Sequence, residues 1–207
     1  MPYSIQLIRK NDQITNEWSG GLTTQLAIYP EDADYAKRNF TWRISSAIVE
    51  VEESVFTPLP DIQRLLMVID GELTLKHEGH HQVHLQPYEQ DRFCGGWTTR
   101  SLGKVRDFNL MLAEGCDGEL EAIAIERGDL HVIDSPNNSD GRQITEAFFC
   151  NHGPIHLSID SQEVIEVEEG DLILINRERL EPSISIKLFN KSEVEANVIR
   201  ARVIFDK

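Results

Sequence analysis

Along most of the chain, apolar and polar residues alternate in short runs separated by Gly, Pro, Asn, Asp and Ser. This period-two pattern predicts strands that each bury one face. The runs fall at residues 4–8, 23–29, 41–49, 64–69, 72–77, 82–86, 108–112 and 120–125. They continue at 129–133, 147–151, 155–159, 164–168, 172–175, 183–189 and 196–204. Helical periodicity is weak. The best candidate is 32–39, where acidic residues come early and Lys37 and Arg38 late, as a helix dipole favours. The pattern predicts an all-β protein with little helix.

Residues 71–93 and 153–175 align without a gap, 82 positions apart. In each copy a Gly opens an alternating strand, with Leu73 and Leu75 in one and Ile155, Leu157 and Ile159 in the other. A polar turn and a second alternating strand follow. A further turn (Pro87-Tyr88-Glu89, or Glu169-Gly170-Asp171) leads into a third strand. Recurrence of the whole unit argues duplication and predicts two β-barrels, 1–134 and 135–207. The turn-rich segment 135–142 (SPNNSDGR) is the expected joint, or equally an exposed loop inside one continuous architecture. Whether the last strands cross back to complete the first barrel is left open. The greasy second copy is expected to be mainly structural.

Composition narrows the partners. With 35 acidic against 20 basic residues, the net charge is −15, which disfavours nucleic acid and anionic membranes. The opening residues MPYSIQLIRKND lack the apolar run of a signal peptide, and no later run is long enough to span a bilayer. Three widely spaced cysteines (Cys94, Cys116, Cys150) include no CxxC pair, so neither a disulfide framework nor a zinc knuckle is expected. A cytoplasmic location follows; a homo-oligomer is compatible with the sequence.

Four of the seven histidines, His77, His80, His81 and His84, lie within eight residues. Such a cluster raises the question of a metal site. Strand geometry places Glu78-Gly79 at a hairpin tip, leaves the side chains without obvious convergence and supplies no distal carboxylate. A solvated hairpin is expected, with no metal site and no cofactor.

Four other segments carry candidate chemistry. In WSGGLTTQ, Trp18 stands beside Gly20 and Gly21, which permit close backbone approach, and Thr23 opens a strand. In FTWRISSA, alternation puts Trp42, Ile44 and Ser46 on one face and Arg43 and Ser45 on the other, a guanidinium and a hydroxyl suited to a carboxylate. FTPLPDIQRLL forms a Pro-stiffened turn ahead of Arg64. VRDFNLML sets Asp107 and Asn109 on one face, where they need each other, an arginine or a ligand.

In this order the four segments resemble the HutD/Ves family, whose members carry W-x-G-G-x-T, W-R-[IL]-S-x-A, F-[ST]-x-[FL]-P-G-x-x-R and D-[FY]-N-x-M elements. The duplicated layout is also similar to that of cupin barrels. The HxH-plus-Glu pattern of metal-dependent cupins is absent from both copies. The resemblance implies two cupin-type double-stranded β-helix barrels (a bicupin) without the usual metal ligands. Some family members are encoded with histidine-degradation enzymes, which implies sensing of an intermediate such as a formylated amino acid; others are associated with cold or stress responses. The implied ligand-binding residues are Trp18, Gly20, Gly21, Thr23, Trp42, Arg43, Ser45, Arg64, Asp107 and Asn109. Two departures touch loops: Asp61 replaces the Gly after the Phe-Pro turn, and Gly103-Lys104 stands for a Gly-Gly pair.

The functional expectation is a non-catalytic sensing or regulatory protein. Arg43 or Arg64 would grip a small carboxylate, Thr23, Ser45 and Asn109 would add hydrogen bonds, and Trp18 and Trp42 would form apolar walls. One alternative is a metal-independent enzyme with Asp107 as general base. No nucleophile–His–acid set can be assembled from the four segments, so the balance leans away from catalysis. Another alternative is a partner-binding β-protein with no small ligand. An Arg–Asp network that merely ties strands together is the competing structural role for the polar set.

Overall fold

The computed structural model describes residues 3–136, 141–160, 162, 164–178 and 182–206. The chain opens with β1 (Ser4–Ile8) and a 3₁₀ turn, Lys10–Asp12. Ten strands follow: β2 (Ile14–Trp18), β3 (Gly21–Tyr29), β4 (Trp42–Val49), β5 (Glu53–Val55), β6 (Gln63–Gly71), β7 (Leu73–His77), β8 (Gln82–Leu85), β9 (Gln90–Cys94), β10 (Thr99–Leu102) and β11 (Val105–Leu112). The remainder holds β12 (Asp117–Ile125), β13 (Leu130–Ser135), β14 (Gln143–His152), β15 (Ile155–Ile159), β16 (Ile165–Val167), β17 (Leu172–Arg177), β18 (Ile184–Phe189) and β19 (Ala196–Phe205).

Two compact units result. The first, Gln13–Cys116, carries the four motif segments; the second joins Met1–Asp12 to Asp117–Lys207. In the motif unit a six-stranded sheet, β2-β3-β4-β11-β6-β9, faces a four-stranded sheet, β5-β10-β7-β8. Leu66 and Val68 from one sheet and Leu73, Leu75 and Leu85 from the other share its core. The second unit pairs a five-stranded sheet, β1-β17-β14-β19-β12, with β13-β18-β15-β16. Its core joins Phe148, Ile173 and Val198 to Ile155, Leu157 and Ile186. Every strand pairing among the described residues is antiparallel. In each unit the described ladders form two sheets rather than one closed cylinder.

Each strand from β4 to β11 occupies the sheet position of the strand eight later, so the whole eight-strand unit recurs. The agreement extends to single hydrogen bonds. Tyr88 N donates to Val68 O, and 82 residues on Gly170 N donates to Cys150 O, both at 2.7 Å. Val68 N to Glu89 O and Cys150 N to Asp171 O are both 3.0 Å. A carboxylate closes each turn: Glu89 accepts from Gln86 N, and Asp171 from Glu168 N. Tyr88 at φ 67° and Gly170 at φ 92° share the left-handed corner.

The expected joint is placed differently. Of 135–142, residues 137–140 lie outside the described set, and the strands flanking the segment, β13 and β14, both pair within the second unit. The units divide instead at Cys116/Asp117, because β12 pairs with β19. It is the first strand, not the last, that crosses over: β1 extends the second unit's sheet alongside β17. The expected helix at 32–39 reduces to one 3₁₀ turn, Tyr35–Lys37, capped by the Asp34 carboxylate on Ala36 N and ended by Arg38 at φ 55°. Three strands carried no readable pattern. β2 is exposed throughout and β5 spans three residues. In β10 the buried residues are Thr99 and Ser101, which satisfy their hydroxyls on His77 and Ser54. No disulfide joins the cysteines, and no helix among the described residues is long and apolar enough to cross a membrane.

Candidate functional site

A cavity of about 400 Å³ opens in the motif unit. Its floor is built by alternation on three adjacent strands. On β4, Arg43, Ser45 and Ala47 point inward while Trp42 and Ile44 are buried on the opposite face. The register sets Arg43 beside Met111, Ser45 beside Asn109 and Ala47 beside Asp107 on β11. On the other side of β11, Arg64 of β6 lies next to Met111 and Leu66 next to Asn109. The β6–β11 ladder shifts at Ile69, the extra residue on β6, while β11 runs unbroken against β4, so alternation with Asn109 puts Asp107 on the cavity face. The β2–β3 hairpin adds Trp18 and Thr23, and the 3₁₀ turn adds Tyr35.

Both guanidiniums are buried, and neither has a carboxylate within 4.0 Å among the described residues. Arg43 is held by neutral groups: its Nε donates to Gln25 Oε1 at 2.9 Å and its Nη1 to Ser45 Oγ at 3.0 Å. Its charge sits 4.3 Å from the centre of the Tyr35 ring. Arg64 lies over Phe56 at 4.6 Å and beside Phe93 at 5.3 Å, a cation–π cradle, and its Nε makes no hydrogen bond. Burial is the main cause that pulls Arg64 down to about 10, with Asp107 and Tyr35 opposing and Arg43 adding to the fall. It is still charged at neutral pH. Burial also lowers Arg43, with Tyr35 opposing. Asp107 moves the other way: burial raises it to about 7, against the pull of Arg64 and of the Ala47 backbone amide. Asn109 Oδ1 is buried without a partner.

The chemistry of this arrangement is specific. Two buried positive charges, a carboxyl that burial raises to about 7 and an unused amide oxygen face one cavity with apolar walls. An anion entering it would meet preset donors, and a protonated Asp107 would add another.

Of the ten sequence-selected residues, Trp18, Thr23, Arg43, Ser45, Arg64, Asp107 and Asn109 line the cavity together. Gly20 and Gly21 are not among the lining residues; Gly20 lies in the turn between β2 and β3, and Gly21 opens β3. A Cβ at Gly20 would overlap the Trp18 ring, and one at Gly21, where φ is +147°, would overlap Ile48 O. Trp42 is not a wall of the cavity. It stacks on Tyr29 at 5.8 Å on the far face of β4, where alternation with Arg43 must put it. Sequence reading missed Tyr35, Phe56, Gln25 and Met111. Phe56 and Met111 lay inside the recognised segments, whereas Tyr35 comes from a 3₁₀ turn that alternation does not mark.

The histidine hairpin also differs from expectation. His77 is buried, and its Nδ1 lies 2.8 Å from Thr99 Oγ1. Its Nε2 is 2.9 Å from Asp91, as is the exposed His81 at 3.1 Å, so two of the histidines do converge on a carboxylate. Strand β9 supplies that carboxylate from across the hairpin. His80 instead stacks on Trp97 at 3.7 Å. His84 faces Thr74 and Glu72.

Comparison with known proteins places this geometry. PA5104 of Pseudomonas aeruginosa PAO1, a conserved protein of unknown function, superposes with a TM-score of 0.81 at 21% identity, covering 99% of this chain and 100% of that one. HutD from Pseudomonas fluorescens SBW25, solved in a formate condition, gives 0.69 at 20% identity, covering 96% and 98%. An oxalate decarboxylase variant from Bacillus subtilis gives 0.65 at 6% identity, covering 97% and 77%, a likeness of fold. No curated protein sequence matches. The HutD family model matches residues 10–195, nearly the whole chain. With its cupin-like duplicated fold and its four motif segments gathered in one unit, this chain belongs to the HutD family.

Proposed function

We propose that the motif-unit cavity binds a small carboxylate and that the protein acts as a non-catalytic sensor of that ligand. The observation that supports this most is the pair of buried guanidiniums, Arg43 and Arg64, sharing one cavity with no carboxylate within 4.0 Å among the described residues. Buried charge is costly unless compensated, and an incoming carboxylate compensates it with charge-assisted hydrogen bonds. A strand-tying Arg–Asp network would instead bring Asp107 within ion-pair distance of Arg64. A formylated amino acid fits the chemistry, since its carboxylates match the arginines and its formamide matches the free Asn109 oxygen. The cavity volume suits a ligand of that size.

The test is thermal stabilisation by formate, acetate and N-formyl-L-glutamate, read on the native chain and on Arg43→Ala and Arg64→Ala. A ligand present at 100 times its Kd stabilises by about 2.7 kcal/mol. A shift that either variant abolishes supports the reading. No shift with any compound would refute it.

A second reading rests on Asp107. A buried carboxyl titrating near 7 is a suitable general base or acid. Chemical change of a stabilising acid on prolonged incubation, lost in Asp107→Asn, would make the protein a metal-independent enzyme. Stable recovery of the ligand supports the sensor.

A further inference from the structure

The His77–His81–Asp91 cluster lies outside the cavity lining, and no part of the proposed function uses it. One ligating atom of each residue lies within 4.8 Å of the others. The two closest approaches, His77 Nε2 and His81 Nε2 to Asp91 Oδ2, are 2.9 and 3.1 Å. Around a tetrahedral zinc with bonds of about 2.05 Å, neighbouring ligand atoms stand roughly 3.3 Å apart. The two Asp91 contacts lie within about half an ångström of that spacing, and the imidazole nitrogens stand no more than 4.8 Å apart.

The support is built in. His77 closes β7, His81 precedes β8, and Asp91 belongs to β9 of the other sheet, so the donors come from ordered backbone on two sheets. The His77 backbone is tied to His81, N to O, at 2.9 Å. Thr99 Oγ1 meets His77 Nδ1 at 2.8 Å and orients the ring with Nε2 toward Asp91, the outer hydrogen bond that metal-bound histidines typically make. His81 is exposed, which leaves a route from solvent. The duplicated copy provides the contrast. At the positions of His77 and Asp91, 82 residues on, stand Ile159 and Ile173, both buried in the second unit's core. The same frame is filled with isoleucine in one copy and with ligand-type side chains in the other.

We propose that His77, His81 and Asp91 form a site for one zinc-like divalent cation, with two imidazoles and one carboxylate as its protein ligands. This ligand set suits Zn²⁺ and Co²⁺ and is poorly matched to oxygen-seeking Mg²⁺ or Ca²⁺.

The test is calorimetric titration of the full chain with Zn²⁺, paired with Co²⁺ titration followed by visible absorption. One Zn²⁺ per chain is expected, with d–d bands of low coordination number when Co²⁺ is added. His81→Ala and Asp91→Asn should each weaken Zn²⁺ at least tenfold, and Thr99→Val by about tenfold as a lost outer contact. His80→Ala should leave binding unchanged. Because His81 is exposed, loss of binding in His81→Ala with an unchanged melting point in metal-free buffer assigns the effect to the ligand. Unchanged affinity in both His81→Ala and Asp91→Asn would overturn the proposal. So would weak binding spread over several surface sites, or no binding at all; the cluster would then be two histidines hydrogen-bonded to one aspartate.

Discussion

The two units share a frame but resolve their inward-facing charge in opposite ways. The ladder registers put Arg64 of β6 where β14 has Glu146, Asn109 where β19 has Arg200, Met111 where it has Arg202, and Ser45 where β12 has Glu121. In the second unit these positions neutralise one another. Arg200 reaches Glu146 and Glu121 at 2.9 Å, Arg202 reaches Glu146 at 3.4 Å, and Ser135 donates to Glu146 at 2.7 Å. In the motif unit these positions hold a single charge, Arg64, in aromatic company, and Arg43, at the place of Glu119, adds a second that neutral groups hold. Equivalent geometry thus serves scaffold in one copy and leaves an uncompensated cation pair in the other. A cavity charge without an internal partner is what a binding site for an anion requires.

The largest effect should come from breaking the closed network. Glu146→Ala removes a buried carboxylate shared by the half-buried Arg200 and Arg202 and should cost about 3 kcal/mol, the low end for a broken buried pair, measured by urea denaturation. The next follows from Asp107, which rises from its ordinary value of 3.8 to about 7. Its sign is that of an acid destabilised on folding. Below about 3.9 the proton is bound in both states, and stability declines as pH rises from there through 7. The decline should be on the order of a few kcal/mol and should vanish in Asp107→Asn. Melting curves across that range decide it.

Replacing Arg64 with Met sharpens the contrast with Glu146, because no ion pair is lost. Stability should change by no more than about 1 kcal/mol in either direction, since removing a buried charge offsets the lost contacts. A penalty as large as that of Glu146→Ala would mean that Arg64 is scaffold. Smallest is Asp61→Gly. Asp61 sits at φ 65°, and relieving the left-handed strain should stabilise by about 1 kcal/mol or less, part of it offset by the greater freedom of glycine when unfolded.

Much of this frame was readable in sequence because strand alternation and a fixed offset survive where identities do not. Ile155–Ile159 was read to the residue, and the third strand of each copy followed from the repeat. The pairing of Arg43 with Ser45 on one face was likewise a consequence of alternation alone. Three things were hidden for physical reasons. β10 buries Thr99 and Ser101, so its inward face looks polar. The unit boundary depends on which strands pair, a long-range choice that local pattern does not encode. The convergence of His77 and His81 depends on Asp91, which approaches from another sheet. The same blindness hid the Glu146 network, whose partners lie up to 79 residues apart.

The most direct measurement is calorimetric binding of N-formyl-L-glutamate at pH 6 to the native chain and to Arg64→Met. The account predicts binding to the native protein, tighter below pH 7 than above because a protonated Asp107 does not repel the ligand, and at least tenfold weaker binding to Arg64→Met. Loss of one charge-assisted bond of about 1.5–3 kcal/mol gives that factor. Equal affinity for the two proteins, or none for either with formate and acetate also silent, would contradict it.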